Sequence, residues 1–89
     1  MAFSESKIER IVSLAKSYGA TRVIIFGSAV ESPEKAVDLD LAFDGVPGWK
    51  LYELGARLEE ELEIPLDIIS LTPPNNFTRH IETKGLKLL

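Results

Sequence analysis

Three aspartates and a Gly-Ser pair are the residues of this chain best placed to do chemistry. Asp38 and Asp40 stand two apart in VDLDLAFD, residues 37–44. Aspartate is a poor strand former, so two of them in one alternating run ask for a reason. Residues two apart on a strand project from the same face, with Cα atoms about 6.5–7 Å apart. Carboxylates so placed can lean toward a shared point, and two divalent cations about 3.5–4 Å apart would fit there. Hard cations such as magnesium take carboxylate oxygens and often hold substrate phosphates too. Without a cation the two charges repel. Asp67, in PLDIIS (65–70), offers a third carboxylate. If its strand pairs beside 37–44, it faces the same point. There it can touch the metal and accept a hydroxyl proton, completing a phosphoryl-transfer centre.

Gly27 and Ser28 supply the other half. They close the apolar run RVIIF at 22–26. Gly27 has no Cβ, so a phosphate can approach its backbone. Ser28 adds a hydroxyl donor, and the neighbouring N–H groups can form an anion-binding concavity. A triphosphate with its magnesium ions would then lie between Gly27-Ser28 and Asp38/Asp40. Each feature alone has a plain reading: a solvated strand face, a turn, a capping aspartate. Their conjunction favours a site. Asp44 reads as a turn residue before Gly45, His80 as a surface residue, and Trp49 as a packing or partner contact.

The elements that must position these groups follow from the pattern. Ser6 and Glu9 have the spacing of a capping box. Ile8, Ile11, Val12, Ala15 and Tyr18 recur at helical spacing, so a helix is expected over 6–18 with Gly19 as its C-cap. Arg22–Phe26 reads as a strand covered on both faces. Ala29–Ala36, holding Pro33, is a polar connection. Val37–Asp44 alternates, with Val37, Leu39, Leu41 and Phe43 on one face and Asp38, Asp40, Ala42 and Asp44 on the other. Gly45, Pro47 and Gly48 end that strand. Leu51, Leu54, Leu58 and Leu62 mark a helix over 49–62, with a solvated acidic end at Glu59, Glu60, Glu61 and Glu63. Leu66–Leu71 is a third strand, and Asn75 or Asn76 caps a last short helix that carries Phe77 and Ile81. Gly85 ends it, and Leu86-Lys87-Leu88 can add an edge strand. The order α-β-β-α-β-α, with a final β, predicts an α/β (α+β) fold: a small mixed sheet with helices packed mainly on one face. The polar face of 37–44 would be open on the side away from them.

Composition bounds the partners. The chain has 89 residues, enough for one small domain over 1–89, and 45% of them are apolar. Fourteen acidic residues against ten basic ones give a net charge of -4, which makes nucleic acid an unlikely partner. A nucleotide is still open to it, because a metal ion inverts the local field. There is no cysteine, which excludes disulfides and thiolate metal sites. No apolar run reaches membrane-spanning length and no cleavable leader is evident, so no membrane role is expected and the cytoplasm is the default location.

FGSAVESPEKAVDLDLAFD (26–44) and PLDIIS resemble the minimal nucleotidyltransferase (MNT) family of the DNA polymerase β-like superfamily. That family carries Gly-Ser, a spacer of about ten residues, Asp-x-Asp, and a third Asp on a later strand. The ending IETKGLKLL also looks like its closing helix-Gly-strand. The resemblance spans nearly the whole chain. It implies a magnesium-dependent transferase using ATP. Asp38 and Asp40 would bind the metals, Asp67 would complete the metal site and assist the acceptor, and Gly27 and Ser28 would hold the triphosphate. Small members pair with a HEPN-domain toxin as its antitoxin, some by adding AMP to a tyrosine of the toxin. Many members follow Gly-Ser with arginines and place Ser before the first Asp. Here Ala29, Val30, Glu31 and Ser32 stand in the first place and Val37 in the second. The alternative is therefore a catalytically silent antitoxin or binding subunit of the same fold, acting by contact. A homo- or hetero-oligomer is compatible with either.

Overall fold

The computed structural model describes residues 4–32, 34–35 and 37–89. Pro33 and Ala36 of the expected polar connection lie outside the described residues. The elements are α1 (Glu5–Ser17), β1 (Arg22–Phe26), α2 (Ser28–Glu31), β2 (Leu39–Asp44), α3 (Gly48–Leu62), β3 (Leu66–Ser70), α4 (Asn76–Lys84) and β4 (Leu86–Lys87). The four strands form one mixed sheet in the order β3-β2-β1-β4. β1 pairs antiparallel with β2 and with β4, whereas β2 and β3 run parallel. A parallel pair needs a crossover, and α3 is that crossover.

β1 and β2 are apolar on alternate residues of both faces, so both faces need cover. Val23, Ile25, Leu39, Leu41 and Phe43 pack under α1 and α3 with Ile11, Leu14, Leu54 and Leu58. A bidentate pair ties those two helices on the outside, Arg10 donating to both oxygens of Glu61 at 2.6 and 2.7 Å. On the other face Ile24 and Ala42 pack with Leu71 and with Ile81 of α4. Two of the three long helices thus share one face, as the sequence led us to expect. The second face is not open throughout: α4 covers its middle.

Several boundaries differ from the sequence reading. The first helix is capped by Ser4, whose hydroxyl accepts from the Lys7 N–H at 3.3 Å, rather than by Ser6. Ser28–Glu31 forms one helical turn inside the expected connection. β2 begins at Leu39, and Val37, expected on the core face, is 74% exposed. The reason is pairing: Phe26 ends β1 opposite Asp40, and Leu66 begins β3 opposite Leu39, so residues 37–38 have no neighbour strand. The last helix starts at the Asn75 cap in a reciprocal box with Thr78, the Thr78 N–H donating to Asn75 and the Asn75 N–H donating to Thr78, at 2.9 and 2.8 Å. Glu59, in the expected solvated stretch, accepts from the Leu66 N–H at 3.3 Å. No helix among the described residues is long and apolar enough to cross a membrane.

Asp44 does more than end β2. It accepts from the Thr72 hydroxyl, from Arg22 at 3.0 and 3.2 Å, and from the Gly45 N–H at 3.0 Å, so one carboxylate pins β1, β2 and the turn after β3. These bonds, Thr72's foremost, hold its pKa below the usual aspartate range. A depressed folded-state pKa gives stability that is complete above the unfolded value and lost as pH falls through the folded one. Asp44→Ala is expected to cost about 1–2 kcal/mol at pH 7, allowing for partial exposure. Urea melts of the two proteins should converge below pH about 4; a gap unchanged down to pH 2 would show that the carboxylate charge is not what holds the strands.

Candidate active site

At one end of the sheet the polypeptide places Gly27, Asp40 and Asp67 in a row across three strands. Asp40 is the register partner of Phe26 on one side and of Asp67 on the other. Asp40 and Asp67 therefore project from the same face, on neighbouring strands about 4.8 Å apart. Gly27 follows Phe26 directly and takes φ 73° and ψ −146°, a conformation closed to residues with a side chain. A Cβ on Gly27 would overlap Asp40 Oδ2. The carboxylate occupies the space the glycine leaves free. The chain then turns into α2, with the Gly27 carbonyl accepting from the Val30 and Glu31 N–H groups at 3.0 Å each. Ala29 is buried beneath this turn and Ser28 is exposed on it.

Asp38 has a different position from the one its spacing predicts. It lies in the bend before β2, exposed, and not on the strand. Its charge still reaches Asp40. The Asp40 pKa is raised, first by burial, then by the Asp67 charge and hydrogen bond, and last by the charge of Asp38. The structure thus brings Asp40 and Asp67 side by side, with Gly27-Ser28 adjacent and Asp38 at the margin. Among the described residues, no three acidic or imidazole side chains are grouped closely enough to hold a metal ion as they stand. The residues suit magnesium in kind nonetheless. All the donors are hard carboxylate oxygens, and the like charge that raises the Asp40 pKa is what a divalent cation removes.

The other residues singled out in the sequence stand apart. Asp44 is at the far end of β2, His80 is exposed on α4, and Trp49 is 74% exposed at the start of α3. One neighbour of the site was not anticipated. Phe77 lies against Phe26, with ring centroids 5.9 Å apart and planes at 84°. The sequence reading placed it with Ile81 on one short helix. Nothing in the spacing said that the first turn of that helix overhangs the site.

Solved structures of similar architecture include minimal nucleotidyltransferases. One, assigned as a minimal nucleotidyltransferase, is 26% identical, with a TM-score of 0.74 over 91% of this chain and 88% of that one. The MNT antitoxin in complex with a tri-AMPylated HEPN toxin from Shewanella oneidensis superposes at 0.75, with 18% identity, over 100% of this chain and 72% of that one. A toxin-antitoxin structure with AMP-PNP gives 0.77 at 19% identity, over 92% and 72%. No protein-family model and no curated protein sequence matches the chain.

Proposed function

We propose that this protein is a nucleotidyltransferase that moves AMP from ATP to a hydroxyl of a partner protein, serving as the antitoxin of a HEPN-type toxin in the cytoplasm. One observation carries the reading: the Asp40–Asp67 pair meets a Gly27-Ser28 turn whose shape is built around the Asp40 side chain. Asp38, Asp40 and Asp67 would hold magnesium, which when bound neutralises charge on the phosphates. The transfer forms a bond between the acceptor oxygen and the α-phosphorus. It breaks the bond from that phosphorus to the oxygen bridging the β-phosphate, and pyrophosphate leaves. Gly27 leaves the space that the Asp40 carboxylate needs at the turn, and the exposed Ser28 hydroxyl donates to a phosphate oxygen. Asp67, more exposed than Asp40, takes the acceptor's proton. So small a domain cannot enclose a nucleotide, and the partner completes the pocket while orienting the hydroxyl. The tri-AMPylated toxin in the complex of similar fold supports both product and partner.

A second reading is favoured by the turn itself. Ala29, Val30, Glu31 and Ser32 bring no cation to the triphosphate, and Glu31 adds a negative charge. A subunit that neutralises its partner by contact would need none. Incubating the purified protein with α-labelled ATP, magnesium and a HEPN-type partner protein separates the two. Label appearing on the toxin supports transfer. A stable, unlabelled complex supports the contact reading. Tight, salt-sensitive binding of RNA by the protein alone contradicts both.

A further inference from the structure

We propose that Phe77, braced by Phe26, is the stacking platform for the purine base of the bound nucleotide. This inference rests on the function proposed above and adds the place of the base.

The direction of α4 carries it. Ile81 packs against Ile24 in the middle of β1, and Phe77 packs against Phe26 at its end. Four residues of helix rise about 6 Å and two residues of strand about 6.8 Å, so the two contacts keep step. One residue further, Glu82 pairs with Arg22 at 3.4 Å, at the opposite end of β1. The helix therefore runs against β1, and its first turn arrives where Phe26 hands over to Gly27. Phe26 is also the register partner of Asp40, so its side chain stands beside that carboxylate on the same face. Phe77 lies one ring further out.

Phe77 is 53% exposed, although it sits on a helix whose Thr78 and Ile81 are buried. Burial against Phe26 alone does not explain it. The near-perpendicular contact uses part of its ring and leaves the rest to solvent. The reciprocal Asn75–Thr78 cap and the buried Thr78 fix the backbone on either side, and the edge contact with Phe26 braces the ring. A braced, half-exposed aromatic ring beside the turn proposed to hold the phosphates has the chemistry of a base-stacking surface. Stacking tolerates any base, and the larger purine face gains more from it than a pyrimidine.

The test compares magnesium-ATP with magnesium-tripolyphosphate, which has the phosphates but no base. Phe77→Ala is expected to weaken ATP binding about five- to hundredfold and leave tripolyphosphate affinity unchanged. Phe77→Leu keeps the contact with Phe26 without a flat ring, and should lose ATP affinity almost as far. Phe77→Trp should restore it, with indole fluorescence quenched by ATP and not by tripolyphosphate. Unchanged ATP affinity in Phe77→Ala, or an equal loss for both ligands, overturns the platform while the phosphate site stands. A wild-type protein that binds neither ligand overturns the proposed function and the platform together.

Discussion

Asp40→Asn is expected to do two opposite things: abolish magnesium-dependent ATP binding and stabilise the metal-free fold. Both follow from where Asp40 sits. It is the half-buried polar position of the central strand, flanked by Leu39 and Leu41, which are fully buried. Burial, Asp67 and Asp38 all disfavour its charge and raise its pKa. A raised folded-state pKa means the native state holds the proton more tightly than the unfolded chain. Stability at this residue therefore falls as pH climbs from the unfolded value through the folded one. Asparagine removes the charge and keeps the shape. The gain should be about 0.5–2 kcal/mol at pH 7 and vanish below pH about 4, where both proteins are neutral at this position. Magnesium with ATP should reverse the ranking, raising the melting temperature of the wild type and leaving the variant unmoved. Calorimetric titration should show ATP affinity falling by at least tenfold, equivalent to about 1.4 kcal/mol. Asp67→Asn should also impair transfer and shift stability in the same direction by a smaller amount, because it removes one of the charges that disfavour ionised Asp40. An Asp40→Asn protein with native ATP affinity would remove this carboxylate from the site.

The same residues show what was legible in the sequence. Arg22–Phe26 was plain because a run without a breaker lies between Gly19 and Gly27, and the structure gives that strand the same bounds. The Asn75 cap and the break at Gly85 were equally local. What failed was where a pattern stops. Alternation continues through Val37 and Asp38, but a strand lasts only as long as its neighbours, and β1 and β3 are both used up at residues 39–40. Ser4 and Ser6 both stand at the start of the first helix, and the Glu9 spacing pointed to the wrong one. The side of the sheet taken by α4 was implicit in β1. A strand apolar at Ile24 as well as at Val23 and Ile25 needs a second cover, and only the last helix was left to provide it. The pairing of Asp40 with Asp67 depended on β2 and β3 being parallel neighbours. The length of the intervening helix allowed that arrangement without requiring it.

Gly27→Ala should be the most destabilising single-methyl change in the site, and the reason for its cost can be divided. One part is backbone. A residue with a Cβ at φ 73° and ψ −146° is strained by about 1–3 kcal/mol. The other part is steric, since the new methyl overlaps Asp40 Oδ2 and must push the carboxylate off its position beside Asp67. At about 4–8 °C per kcal/mol for a domain of this size, the backbone part alone lowers the melting temperature by roughly 5–20 °C. That is a large share of what an 89-residue domain has to lose. A double-mutant cycle with Asp40→Ala separates the parts. Truncating Asp40 vacates the space the methyl needs, so Gly27→Ala should cost less on that background than in the wild type. The cost that remains measures the dihedral. Additive effects would mean that the turn and the carboxylate are independent, and that Gly27 is required by the chain path and not by the group it faces. A positive coupling instead ties the Gly-Ser turn to the metal-binding face as one unit, in which the glycine is kept so that a carboxylate can stand where a side chain would have been.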